Sequence, residues 1–129
     1  MLQRVIIAAE TVGSTGISTL SIAQILGVSE RNNRRDDITS GVMFMDGRCL
    51  QCIEGRRADV ERLVRRMSED RRLRDLQILV DRPIAARRFH DPMVFCSDPR
   101  AMMRSVGLAD LAAITAYQAE QMVELRQAA

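Results

Sequence analysis

The period of the apolar positions changes several times along the chain, and each change marks an element. Arg4 to Ala9 (RVIIAA) is a near-continuous apolar run, as in a central strand covered on both faces. The turn-rich stretch ETVGSTGIS follows. Ser18 or Thr19 can then cap a helix whose apolar positions are Leu20, Ile22, Ile25 and Leu26, running to about Asn32 and weakened by Gly27. DITSGVMFM and RCLQCIE flank Asp46-Gly47, whose residue types suit a two-residue turn with positive φ, so a hairpin is expected there. Val60, Leu63, Val64 and Met67 recur at i, i+3, i+4 and i+7, with acidic residues early and arginines late, in agreement with the helix dipole. DLQILVDRPI reads as a strand ending near Pro83, and PMVFC as a short final one.

The order is therefore β-α-β-β-α-β-β. That order predicts an α+β, ferredoxin-like sheet with two helices on one face. Beyond it, Asp98 as a cap, Pro99 at the first helical position and Gly107 past the end punctuate a short helix. A last helix is expected over about Leu108 to Arg126, with Leu111, Ile114, Met122 and Leu125 on one face and Gln118 interrupting it. These two C-terminal helices are expected on the sheet face that the first two leave bare, with a second subunit as the alternative cover. The expected division is residues 1–97 for the ferredoxin-like unit and 98–129 for a helical extension packed on it.

Composition narrows the function. With 129 residues, 47% apolar and 28% charged, the chain is one globular domain. No apolar run approaches the roughly 20 residues that span a bilayer, and the N-terminal apolar stretch is too short for a signal peptide. A cytoplasmic protein without a membrane partner is expected. The formal charge is only +2, every basic residue is arginine, and the arginine pairs are interleaved with Asp and Glu. With 3% aromatic residues, there is little for bases to stack on, so no nucleic-acid partner is expected. Cys49, Cys52 and Cys96 have no partners at metal spacing, and an offset of three inside a strand sends Cys49 and Cys52 to opposite faces. They read as packing residues, and no metal is expected. His90 reads as a solvated loop residue.

Two polar features stand out. Gln51 sits inside a strand that otherwise carries Leu50, Cys52 and Ile53, and it shares a face with residues 49 and 53. A primary amide buried there needs hydrogen-bond partners or costs about 1–3 kcal/mol. An amide pair, Asn32-Asn33, lies just before the hairpin. On the strand alone, a neighbouring backbone group or water is the simpler partner for Gln51.

The segments SERNNRRDDIT, MDGRCLQCIEG, MSEDRR and PIAARRF resemble, in order and spacing, the BLUF family of flavin-binding blue-light sensors, over roughly residues 2 to 95. The resemblance implies a ferredoxin-like fold holding FAD or FMN between the first two helices. It matches Asn33 to the asparagine whose amide bonds the flavin edge, and Gln51 to the glutamine whose amide rearranges near N5 and the C4 carbonyl after excitation. Asn32 and Arg72 match further flavin-contacting positions, and Ile25 would pack against the ring. In the family the light reaction starts with a tyrosine on the first strand. The matching residue here is Ile7, with Ala9 at the following serine position. Ser40 replaces a glycine, Leu73 a histidine, and Pro92 and Val94 a tryptophan and a methionine, with Met93 one place away.

The resulting expectation is a non-enzymatic BLUF signalling protein that has lost the tyrosine-based photocycle and acts on an unknown protein partner or as a homo-oligomer. The alternatives are a light sensor with a different electron donor, a flavin-free interaction module and, ranked last, an acylphosphatase-like enzyme.

Overall fold

The computed structural model describes residues 1–15 and 17–128, without the side chains of residue 19 and of residues 126–128. Five strands form one mixed sheet: β1 (Leu2–Thr11), β2 (Thr39–Met45), β3 (Arg48–Arg56), β4 (Leu73–Ile84) and β5 (Val94–Phe95), in the order β4-β1-β3-β2-β5. All neighbours are antiparallel except β2 and β5. Helix α1 (Thr19–Arg35) precedes β2, and α2 (Arg57–Ser68) joins β3 to β4. The βαββαβ core is the expected α+β, ferredoxin-like arrangement.

Local chemistry explains the boundaries. Ser18 caps α1 by accepting from the Ser21 N–H. The helix runs three residues past the expected Asn32, and the N–H of Asp36 closes it onto the Asn32 carbonyl. Asp46 and Gly47, with φ of 51° and 75°, make the left-handed turn that matches strand twist in the β2–β3 hairpin.

The C-terminal segment differs from its expectation. After α3 (Pro99–Ser105), the N–H of Gly107 donates to the Arg104 carbonyl and that of Leu108 to Met103, a helix-ending pair that uses the positive φ of Gly107. Leu108 therefore starts no helix. Asp110 caps a single 3₁₀ turn, Leu111–Ala113, and α4 begins only at Ala116, running to Ala128. Gln118 does not interrupt a helix but starts one: Thr115 Oγ1 accepts from the Gln118 N–H while Gln118 Oε1 accepts from the Thr115 N–H. Thr-x-x-Gln is a capping box. With the helix starting later, Ala119, Met122 and Val123 form its buried face, and Leu125 is exposed.

Two apolar layers result. Val5, Ile7, Ile38, Ile53 and Val60 form a small core under α2, completed by Leu63, Met67 and Leu76. The larger core lies on the opposite sheet face, where Ile6, Met43, Leu50, Cys52 and Phe89 pack against Met103, Leu108, Leu111, Ile114, Met122 and Val123. The chain's own C-terminal segment thus covers Leu50 and Cys52, so the apolar outer face gives no reason to invoke a second subunit. Neither core cluster contains a described side chain of α1.

The loop after β4 is bolted to the sheet. Arg87 donates to the Asp37 carbonyl, the Thr39 hydroxyl and the Glu54 carbonyl, while Glu54 Oε1 accepts the backbone N–H groups of Arg88 and Phe89. Phe89 lies over Gly41, where a Cβ would stand 2.4 Å from the ring. These contacts give the Arg87-Arg88-Phe89 end of the PIAARRF segment its physical content.

Candidate functional site

Helices α1 and α2 leave between them an open cleft of about 200 Å³ floored by β2 and β3. Ile25, Val28, Asn32 and Asn33 reach it from α1, Val42 and Phe44 from β2, and Cys49 and Gln51 from β3. The far wall is Leu63, Arg66 and Met67 of α2, then Asp70, Arg72 and Leu73, with Met93 closing one side. All five residues singled out in the sequence, Ile25, Asn32, Asn33, Gln51 and Arg72, therefore line one space.

Gln51 is only 9% exposed, and in register it lies between Ile7 of β1 and Val42 of β2. Neither neighbour can hydrogen-bond a side chain. No hydrogen bond joins its amide to any described residue, yet the amide is not sealed in the interior, since it borders the cleft. Among the described residues, Thr11 Oγ1 is the buried side-chain atom that is both sealed and unpartnered. The neighbouring-backbone partner expected for Gln51 on the strand alone is absent among these residues.

Asn33, 2% exposed, spends both donors inside the protein: Nδ2 donates to the Pro92 carbonyl at 2.8 Å and to Ser40 Oγ at 3.1 Å. Ser40 Oγ in turn donates to the Pro92 carbonyl at 2.9 Å. The serine that stands at a glycine position is thus part of the clamp that fixes the Asn33 carboxamide. Its Oδ1 is left as the acceptor. Met93, 3.4 Å from Ser40 Oγ through its sulfur, lines the cleft, whereas Val94 packs into the opposite core. A thioether wall is present, supplied one residue earlier than expected.

At the other end of the cleft, the Arg72 guanidinium makes two hydrogen bonds to Asp70, and Asp70 Oδ1 also accepts the Arg72 N–H. The guanidinium holds the Asp70 carboxyl below its ordinary range. Asp36, at the C-terminus of α1, is bonded by Arg35 at 2.9 Å and by Arg66 of α2 at 3.3 Å, so it bridges the two helices. Its carboxyl is lowered to about 2, first by the Arg35 hydrogen bond, against the opposing effect of burial. A carboxyl whose folded value lies below its unfolded one, near 4, stabilises the fold fully above the unfolded value and loses that contribution as pH falls through the folded one. Asp36→Asn is therefore expected to lower the melting temperature at pH 7, with the gap to the parent protein closing between about pH 4 and pH 2.

Ile7 is fully buried and packs with Ile53 and Val60, so it seals the floor behind Gln51 with hydrocarbon. Sequence reading missed Arg66, Asp70 and Cys49 as cleft residues. Cys49 was within reach, because it shares a strand face with Gln51, but a strand thiol with no partner at metal spacing reads as packing. Burial pushes that thiol up to about 11, the Ala9 backbone hydrogen bond opposing the shift.

This combination of walls, Phe44, Met67 and Ile25, with an unpartnered buried amide and a fixed carbonyl acceptor fits a flat conjugated ring with donors and acceptors along one edge. A flavin has that edge. The sequence profile described as sensors of blue-light using FAD, BLUF, matches residues 2–94.

The chain belongs to the BLUF family.

Solved structures share its fold. The photo-activated state of BlsA superimposes with a TM-score of 0.84 at 18% identity, covering 100% of this chain and 96% of that one. The dark-state structure of BlrB, a BLUF protein, gives 0.83 at 25% identity, covering 98% and 96%. Klebsiella pneumoniae BlrP1 with FMN and cyclic diGMP gives 0.68 at 22%, covering 98% of this chain and 30% of that larger one. No curated protein matches the sequence. BLUF domains are flavin-binding blue-light sensors, and this chain carries that family's α+β fold in full. Among the described residues, no helix is long and apolar enough to cross a membrane.

Proposed function

We propose that this BLUF protein holds FAD or FMN in the α1–α2 cleft, with Gln51 and Asn33 at the polar edge of the ring, Ile25 against its face, and Asn32 and Arg72 at the mouth. The observation that carries the reading is the Gln51 amide: buried, without a partner among the described residues, and bordering a cleft whose other polar edge is a fixed carboxamide acceptor. Flavin supplies light absorption, and the residues here bind and orient it. Ile7 cannot donate an electron or bond the Gln51 amide, so the tyrosine-driven light reaction of the family is absent. The protein acts as a signalling module rather than an enzyme. A protein partner or a second copy would meet the exposed apolar side chains away from the cleft, Tyr117 and Leu125 on α4 and Ile78 on the edge strand β4.

Incubation with FAD or FMN followed by desalting tests this directly. The protein is expected to retain a flavin absorption spectrum. Gln51→Leu, which removes the amide while keeping the side-chain bulk, is expected to weaken retention by roughly 5- to 150-fold, the equivalent of one buried hydrogen bond of about 1–3 kcal/mol. A folded protein that emerges colourless with both flavins would leave a BLUF scaffold used for protein contacts alone.

A further inference from the structure

The cleft poses a chemical question: which of its side chains can give up both an electron and a proton? Phe44 and the thioethers of Met67 and Met93 have no acidic hydrogen, and the remaining walls are aliphatic, amide, hydroxyl or charged groups that resist oxidation. The chain has no tryptophan, and its single tyrosine, Tyr117, is exposed on α4 across the sheet. Cys49 alone among the described lining residues has an oxidisable S–H bond.

Its position suits that use. Cys49 is 3% exposed, lies two residues before Gln51 on the same strand face, pairs in register with Ala9 of β1 and lines the cleft. Cys52 points to the opposite face, into the core under α4, and Cys96 packs against that same core, so no second thiol of the described chain competes from within the cleft. All three cysteines are free. The unpartnered Gln51 amide beside Cys49 is the independent sign that a ligand edge comes to rest there.

We propose that Cys49 is the light-reactive side chain of this protein, its thiol adding to the excited flavin ring held against Gln51. The inference rests on the flavin reading above. In the step the S–H bond breaks, a carbon–sulfur bond forms between Sγ and a ring carbon, and the proton passes to a ring nitrogen. The ring gains two electrons and the sulfur is oxidised correspondingly, so no outside oxidant or reductant enters. Reversal in darkness restores thiol and ring. Burial keeps the sulfur protonated at neutral pH, as delivery of a proton requires.

The full chain, loaded with FMN and desalted, is illuminated with blue light while visible absorbance and the infrared S–H stretching bands are recorded. Loss of the visible flavin band together with one S–H band, both recovering in darkness, is expected. Cys49→Ser and Cys49→Ala should retain flavin in darkness and lose both light signals, and Cys52→Ser, altered on the other face, should keep them. A flavin-loaded protein whose spectra do not change in light, or whose change survives both substitutions at position 49, overturns the assignment while leaving flavin binding intact. A parent protein that retains no FMN overturns both.

Discussion

Glu54→Ala is expected to lower the unfolding free energy by about 3–5 kcal/mol, read as a large drop in the midpoint of chemical denaturation. Glu54 is fully buried, and one of its oxygens is 2.8 Å from both Nε and Nη2 of Arg4, itself 2% exposed. The other oxygen accepts the N–H groups of Arg88 and Phe89. Arg4 reaches onward to Glu120 of α4, which Arg82 of β4 also holds. Removing the Glu54 carboxylate deprives the buried guanidinium of one of its two partners and takes away the acceptor that the Arg88 and Phe89 N–H groups share. Removing both charges is different in kind. Arg4→Met with Glu54→Leu takes the whole pair out of a low-dielectric site, so the double variant should be less destabilised than the sum of the single changes. Equal, additive losses would show that Arg4 and Glu54 act independently.

Ile7→Tyr in a Cys49→Ser background is expected to create a light response where that background has none. Position 7 lies opposite Gln51 in the β1–β3 register, so a phenol there comes beside the amide. In the flavin-loaded variant, blue light should shift the flavin bands slightly to the red, measured by difference absorbance. The change has a structural penalty. Ile7 is fully enclosed by Val5, Ile53 and Val60, and inserting a larger side chain into such a site typically costs about 1–3 kcal/mol. A folded, flavin-bound variant that stays inert in light would show that something else in the cleft also blocks the tyrosine-driven reaction.

The fold was largely readable because its elements carry period and punctuation that need no tertiary knowledge. Asp46-Gly47 fixed the hairpin, and the i, i+3, i+4 pattern of Val60, Leu63 and Val64 fixed α2. The C-terminal segment was misread because a capping box resembles a polar interruption until one knows that Thr115 and Gln118 exchange hydrogen bonds. The cleft was legible through its amides. Gln51 and Asn33 are out of place in an apolar context, so they draw attention, whereas Cys49, Met67 and Met93 blend into any core. The Arg4–Glu54–Glu120–Arg82 network was not legible at all, since its members are up to 116 positions apart and read singly as surface charges.

None of the described side chains of α1 belongs to either core, and one of its cleft residues, Val28, is 44% exposed. A helix held by so little apolar contact opens locally at low free energy, well before the sheet does. Whatever fills the cleft therefore serves as the missing part of its hydrophobic support. Loaded and empty protein would share one architecture yet differ in how often the amides of α1 meet solvent, so ligand occupancy would be written chiefly into hydrogen-exchange rates along that helix.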